Sequence, residues 1–238
     1  YTLMKEKFQM TDDDFKAYSD DTGFDPVELP DHPVQLAPEH IDALKAIVGE
    51  QNLSTTDYDR LSVAYGATAY DLLRLRHKRI DSVPDVVLYP ETSEQVEQIV
   101  AYSTEHHIPL YVYGGGSSVT RGVEPTKGGI SLDMRRNFNK VISFNEIDQT
   151  ITVQAGMSGP DLEKTLQNAP ELFGAKRQYT CGHFPQSFEY SSVGGWTVTR
   201  GAGQNSTYYG TIADIVLSQK YATPIGVIQT SHYSREAT

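Results

Sequence analysis

A strand that runs directly into three glycines leaves a chain few options. Leu110-Tyr111-Val112-Tyr113 is β-prone, and Gly114-Gly115-Gly116 follows at once, then Ser117, Ser118 and Val119. Backbone without Cβ lets a ligand come close to the main chain. Successive free N–H groups in such a turn form an anion-binding concavity, the usual cradle for a phosphate. The sequence upstream supports that reading. Val86-Val87-Leu88 predicts a short buried strand stopped by Pro90. Thr92 and Gln95 have capping-box spacing, and Val96, Ile99, Val100 and Ser103 share one helical face. Strand, helix and strand within about 28 residues match a βαβ unit, whose ligands bind beyond the carboxyl ends of the strands. The triple glycine stands at that end.

Residues 1 to about 80 read as helical and polar. Asp12, Asp13 and Asp14 suit a helix start or a solvated face. A loop with Pro26, Pro30, Pro33 and Pro38 precedes Ile41, Leu44, Ile47 and Val48 at helical spacing, and Asp57 is placed to cap a further helix. Leu72, Leu73 and Leu75 predict another, ending in Arg74, Arg76, His77, Lys78 and Arg79, which read as a solvated helix end, the rival being a contact to an anionic ligand or partner. After the glycine loop, Ile130 to Asp133 is a predicted strand. Val141–Phe144 and Thr150–Gln154 form a hairpin pattern, Ser158 with Pro160 marks a helix start, and Thr223-Pro224-Ile225-Gly226 is a turn from which Val227 to Gln229 pair back.

Two common phosphate-binding designs fail on residues. A P-loop needs Lys-Ser or Lys-Thr after its last glycine, and Gly116 is followed by Ser117-Ser118. The Rossmann fingerprint begins with Gly114-x-Gly116 and could use Asp133, but Val119 stands at the third glycine position. A proline and three glycines occupy residues 119–129, where a helix should open. The net charge of −11 argues against a nucleic-acid partner, which needs a basic surface. The single cysteine, Cys181, rules out an internal disulfide and suits a reducing compartment, so a cytoplasmic location is expected.

A third design carries a resemblance. Pro84-Asp85-Val86-Val87-Leu88-Tyr89-Pro90, followed by Gly114-Gly115-Gly116-Ser117-Ser118-Val119, resembles the FAD-linked oxidase family, the vanillyl-alcohol-oxidase type of flavin fold. The stretch from Gly182 to Trp196 is similar to the alkyldihydroxyacetonephosphate synthase subgroup, as are Thr199-Arg200-Gly201-Ala202-Gly203 and Tyr209-Gly210. The resemblance implies an α+β fold: a PCMH-type FAD-binding domain over residues 84–238, with two α+β subdomains, the second incomplete. A mostly helical N-terminal region, 1–83, precedes it.

The resemblance also implies roles. Val112, Tyr113, Gly114, Gly115, Gly116, Ser117 and Ser118 would wrap the FAD pyrophosphate. Gln186, Ser187, Phe188, Glu189, Tyr190, Ser191 and Ser192 would form a second cofactor segment, with Gln186 where the family commonly has aspartate. Gly194 and Gly195 would let the backbone approach FAD or serve close helix packing. Thr199, Arg200, Gly201 and Ala202 would form a third segment, Arg200 giving a charge-assisted bond near FAD or an ion pair with Glu189 or Asp214. FAD is expected to be non-covalent, because the loop has no histidine. His183 reads as structural or near FAD, and Cys181 as a small buried residue. The family's catalytic side chains are expected beyond Ser234-Arg235-Glu236-Ala237-Thr238, and none is assigned here. The implied activities are an ether-lipid step on acyl-dihydroxyacetone phosphate, oxidation of a 2-hydroxy acid such as D-lactate or glycolate, or FAD binding without catalysis. Besides FAD, the expected partners are a small-molecule or lipid-precursor substrate and a second copy in a homodimer.

Overall fold

Four short strands make the sheet on which the glycine loop is mounted. The protein is described by a computed structural model over residues 2–16 and 26–230; residues 234–238 lie outside it. The chain opens with α1 (Thr2–Phe8) and α2 (Asp12–Lys16), whose acidic first turn starts where Asp14 accepts hydrogen bonds from the Thr11 N–H and hydroxyl. Next come α3 (Pro38–Val48), β1 (Leu53–Ser54), α4 (Asp57–Ser62) and α5 (Ala69–Arg76). The cap of α4 is Thr56, which accepts from the Asp59 N–H. Asp57, the expected cap, instead accepts from the Leu29 N–H and the Arg60 guanidinium.

Then follow β2 (Val86–Leu88), α6 (Ser93–Glu105), β3 (Leu110–Tyr113) and β4 (Ile130–Asp133). The sheet order is β1-β2-β4-β3. Strands β2 and β3 each pair with β4 in parallel, and β1 pairs antiparallel with β2. The expected βαβ unit is therefore split: β4 slots between the two strands that α6 connects. Val86, Leu88, Ile130 and Leu132 pack against Leu44 and Val48 of α3 and Ile99 of α6. Val87 faces the opposite side with Val63, Tyr89, Tyr113 and Val123. A strand covered on both faces needs a continuous apolar run, as Val86-Val87-Leu88 supplies. Packing is continuous across residue 84, since α3 and β1 share this core.

The second layer begins with β5 (Val141–Asn145) and β6 (Thr150–Val153), paired as the alternating pattern predicts. Helix α7 (Gly159–Gln167) is capped by Ser158, whose hydroxyl accepts from the Asp161 N–H, with proline in its first turn. After α8 (Ala169–Phe173), an irregular stretch leads to α9 (Val193–Thr199), α10 (Ser206–Tyr209) and α11 (Ile212–Ile215). Met157, Leu162, Leu166, Trp196 and Ile212 form this layer's core. The final hairpin, β7 (Lys220–Thr223) with β8 (Gly226–Gln229), returns to α6, where Lys220 meets Glu97 at 2.6 Å.

Candidate cofactor-binding site

The two layers meet at the glycine loop. Strand β3 is an edge strand, so Val112 is exposed, while Tyr113 turns inward and is buried. Its ring lies under the loop: a Cβ on Gly116 would sit 2.0 Å from the Tyr113 hydroxyl, and Gly116 has φ +70°. Only glycine satisfies both conditions. Arg135 stacks over the Tyr113 ring at 4.8 Å and pairs with Asp133 at the end of β4. Burial raises the Tyr113 phenol above its ordinary value, so it stays neutral.

The missing Cβ atoms make room chiefly for the protein itself. A Cβ on Gly115 would lie 1.5 Å from the Tyr190 carbonyl oxygen, and one on Gly114 would lie 2.5 Å from the Ser192 hydroxyl. The sequence expectation was that these glycines open the main chain to a ligand. At Gly114 and Gly115 they admit the second predicted segment, which brings residues 112–118 and 186–192 together. The ligand-facing element is the set of N–H groups. Among the described residues, those of Gly115, Gly116, Ser117 and Ser118 donate to no protein acceptor, and all four residues are partly exposed. Four unused donors at the carboxyl end of a parallel strand suit a diphosphate.

The second segment is mostly spoken for. The Ser187 carbonyl accepts from the Tyr190 and Ser191 N–H groups and from the Ser191 hydroxyl. The indole N–H of Trp196 donates to the Ser191 hydroxyl at 2.6 Å. Ser192 caps α9 by accepting from the Gly195 N–H, and it bridges to Ser158. Phe188 stacks on Trp196 with centroids 6.1 Å apart. Gln186, Glu189 and Tyr190 are exposed, and Ser187 is partly so; these are the side chains of the segment left facing outward.

Gly194 sits where a Cβ would come within 2.7 Å of the Ala155 Cβ, and its N–H donates to the Ala155 carbonyl, so it serves close helix packing. In the third segment, the Thr199 hydroxyl bonds back to the Gly195 carbonyl. Arg200 takes a left-handed conformation that ends α9, and its exposed side chain has no carboxylate partner among the described residues, so the ion pair with Glu189 is not formed. The Gly201 carbonyl receives the Ile212 N–H, and Ala202 is exposed. Thr197, Val198 and Arg200 border a groove of about 510 Å³ closed by Ile212 and Tyr221.

His183 is fully buried, edge-on to Trp196 at 5.0 Å, and neither ring nitrogen has a partner among the described residues. Burial lowers its pKa and keeps the ring neutral. Cys181 is partly buried, and burial pushes its thiol above its ordinary value. Sequence reasoning missed two features. One is the lock between Trp196 and Ser191, which no local pattern announces. The other is Arg74, expected at a solvated helix end but buried among Asp71, Asp81 and Glu124. Its spacing of three from Asp71 was the available signal. Arg76, His77, Lys78 and Arg79 are exposed as expected.

A parallel-strand glycine loop with free N–H groups, crossed by a second loop from the next layer, defines a domain that binds a phosphorylated cofactor. Residues 84–231 match the family described as FAD binding domain, and the chain belongs to that family. Alkyldihydroxyacetonephosphate synthase of Dictyostelium discoideum is 32% identical over 206 residues, covering 85% of this chain and 32% of that protein. The Trypanosoma brucei brucei enzyme is 32% identical over 200 residues, covering 82% and 31%. D-lactate dehydrogenase [cytochrome] of Arabidopsis thaliana is 30% identical over 204 residues, covering 85% and 33%. A solved alkyldihydroxyacetonephosphate synthase structure superposes with a TM-score of 0.78 at 31% identity, covering 86% of this chain and 36% of that one. The chain thus spans about a third of the length of the curated relatives it matches. A 4-ethylphenol oxidase shares the fold, with a TM-score of 0.59 at 17% identity. The α+β architecture is that of the PCMH-type FAD-binding fold.

Proposed function

We propose that this chain is the cofactor-holding part of a flavoenzyme similar to the alkyldihydroxyacetonephosphate synthases, and that it binds FAD non-covalently. The observation that carries the reading is the row of unused N–H groups from Gly115 to Ser118. They would hold the FAD diphosphate, with Val112 and Tyr113 supporting the loop. Gln186, Ser187 and Glu189 present their side chains beside it, and Tyr190 to Ser192 hold the loop against the second layer. Arg200, exposed and without a carboxylate partner among the described residues, would offer its guanidinium to an anionic group. Bound flavin supplies the electron chemistry, and the protein's share is binding, orientation and exclusion of water. Non-covalent binding is supported by the absence of histidine from the loop and by the burial of His183.

The visible absorbance spectrum of the purified protein tests the cofactor: a flavin spectrum, present at once or restored by added FAD, is expected. Acid precipitation should release the colour, and a yellow pellet would refute the non-covalent reading. For the whole protein, the order of motifs from Gly182 to Gly210 favours the ether-lipid step on acyl-dihydroxyacetone phosphate. Turnover of D-lactate or glycolate alone would favour the second relative class instead.

A further inference from the structure

Residues 65–81 close over the outgoing arm of the glycine loop. The Ala67 N–H donates to the Ser118 carbonyl at 2.9 Å, and a Cβ on Gly66 would lie 2.2 Å from that oxygen. Six residues on, Glu124 is buried and receives Arg74 at 2.8 Å. The same Arg74 nitrogen meets Asp81 at 2.6 Å, and its other terminal nitrogen meets Asp71 at 3.3 Å. Its guanidinium also stacks on Tyr65 at 4.6 Å and on Tyr70 at 5.3 Å. From the loop side, Arg121 grips both oxygens of Glu124, at 2.6 and 2.9 Å, and reaches the Tyr70 ring. Asp71 itself is fixed in the capping box of α5.

We propose that Arg74 is a positioning residue for the cofactor loop: through Glu124 it fixes the arm 118–124, and with it the direction of the Gly115–Ser118 N–H groups. The inference rests on those N–H groups being the diphosphate cradle. A buried ion pair is a poor device for stability alone, because both charges lose their water. Its strength is geometric, since a guanidinium fork accepts few arrangements. Arg79 also pairs with Asp81, at 3.2 Å, and Arg121, although close to the loop, is committed to Glu124, both of whose oxygens it holds. The cradle then acts through main-chain N–H groups, with Arg121 held aside.

The test uses the full chain as wild type, Arg74→Met, Arg74→Lys and Arg121→Leu. FAD affinity is read by flavin fluorescence titration, and backbone mobility by amide hydrogen exchange on the cofactor-free protein. Arg74→Met should weaken FAD about tenfold and speed exchange in 117–124, while exchange in the 141–153 hairpin stays unchanged. Arg74→Lys restores the charge without the fork and should fall between. Arg121 is half exposed, so its replacement leaves the fold intact; Arg121→Leu should act in the same direction, by about threefold. Unchanged exchange at 117–124 in Arg121→Leu and in folded Arg74→Met overturns the proposal, as does a folded Arg74→Met with wild-type affinity. If Arg74→Met does not fold, Arg121→Leu decides. A wild type that binds no FAD defeats the cofactor reading, and the exchange data still decide the clamp.

Discussion

The glycine loop at 114–118 and the segment from 186 to 202 carry the same kind of sequence signal, glycines and serines in an irregular stretch, yet they use it in opposite ways. The loop leaves its N–H groups without protein partners among the described residues. The segment turns several of its small residues to its own structure: Ser191 holds Trp196, Ser192 caps α9, Gly194 packs on Ala155 and Thr199 bonds back to Gly195. One region offers donors and the other holds it in place. A short polar residue is thus ambiguous until the fate of its hydrogen bonds is known.

The sharpest way to break this contrast is Gly115→Ala. The new methyl would overlap the Tyr190 carbonyl, and backbone cannot move aside cheaply. A loss of about 3 kcal/mol or more is expected, read by urea unfolding, together with loss of FAD binding; a stable, FAD-binding variant would show that the two segments do not touch. Ser191→Ala comes next. It leaves the buried Trp196 N–H unpaired and should cost about 2 kcal/mol, while the FAD affinity of the folded protein changes little, because the hydroxyl already faces inward.

His183 gives a smaller, pH-dependent effect. Its folded pKa lies below the ordinary imidazole value of 6.5, so below that pH the unfolded chain takes up a proton that the folded chain refuses. Stability should be full above pH 6.5 and fall as pH drops, by up to about 1.4 kcal/mol per unit. Urea midpoints between pH 7.5 and 5.5 should lose this slope in His183→Phe. The smallest effect is expected at Gly122, where a Cβ would meet only the Thr120 hydroxyl, at 4.0 Å. Gly122→Ala should be neutral or stabilising by about 0.5 kcal/mol, with FAD affinity retained.

Much of the fold was legible because its signals are local. Ser158 with Pro160, the 141–153 alternation and the Thr92–Gln95 spacing each describe interactions within a few residues, and each appears where expected. Even there the detail shifted: Gln95 bonds back to the Glu91 N–H, one residue before the cap. The loop after β3 was legible for the same reason, since three glycines after a strand are a local statement. Partners distant in sequence were not readable. Arg74 and Glu124 lie fifty residues apart, and a basic cluster gives no hint that one of its members is folded inward. Nor does Tyr113 reveal that its ring will underlie Gly116. The position of β4 between β2 and β3 is likewise a long-range fact that strand spacing does not encode.

That inserted strand also sets an order of events. The middle of the sheet, Ile130 to Asp133, is synthesised after both of its neighbours. A nascent chain that has emerged only as far as Tyr113 holds two strands that cannot pair with each other and a helix with half of its core missing. The sheet therefore assembles late and through distant contacts, the circumstance under which folding is slow. During that interval the apolar faces of β2 and β3 are bare, and bare apolar strands are what makes a partly folded chain prone to aggregate.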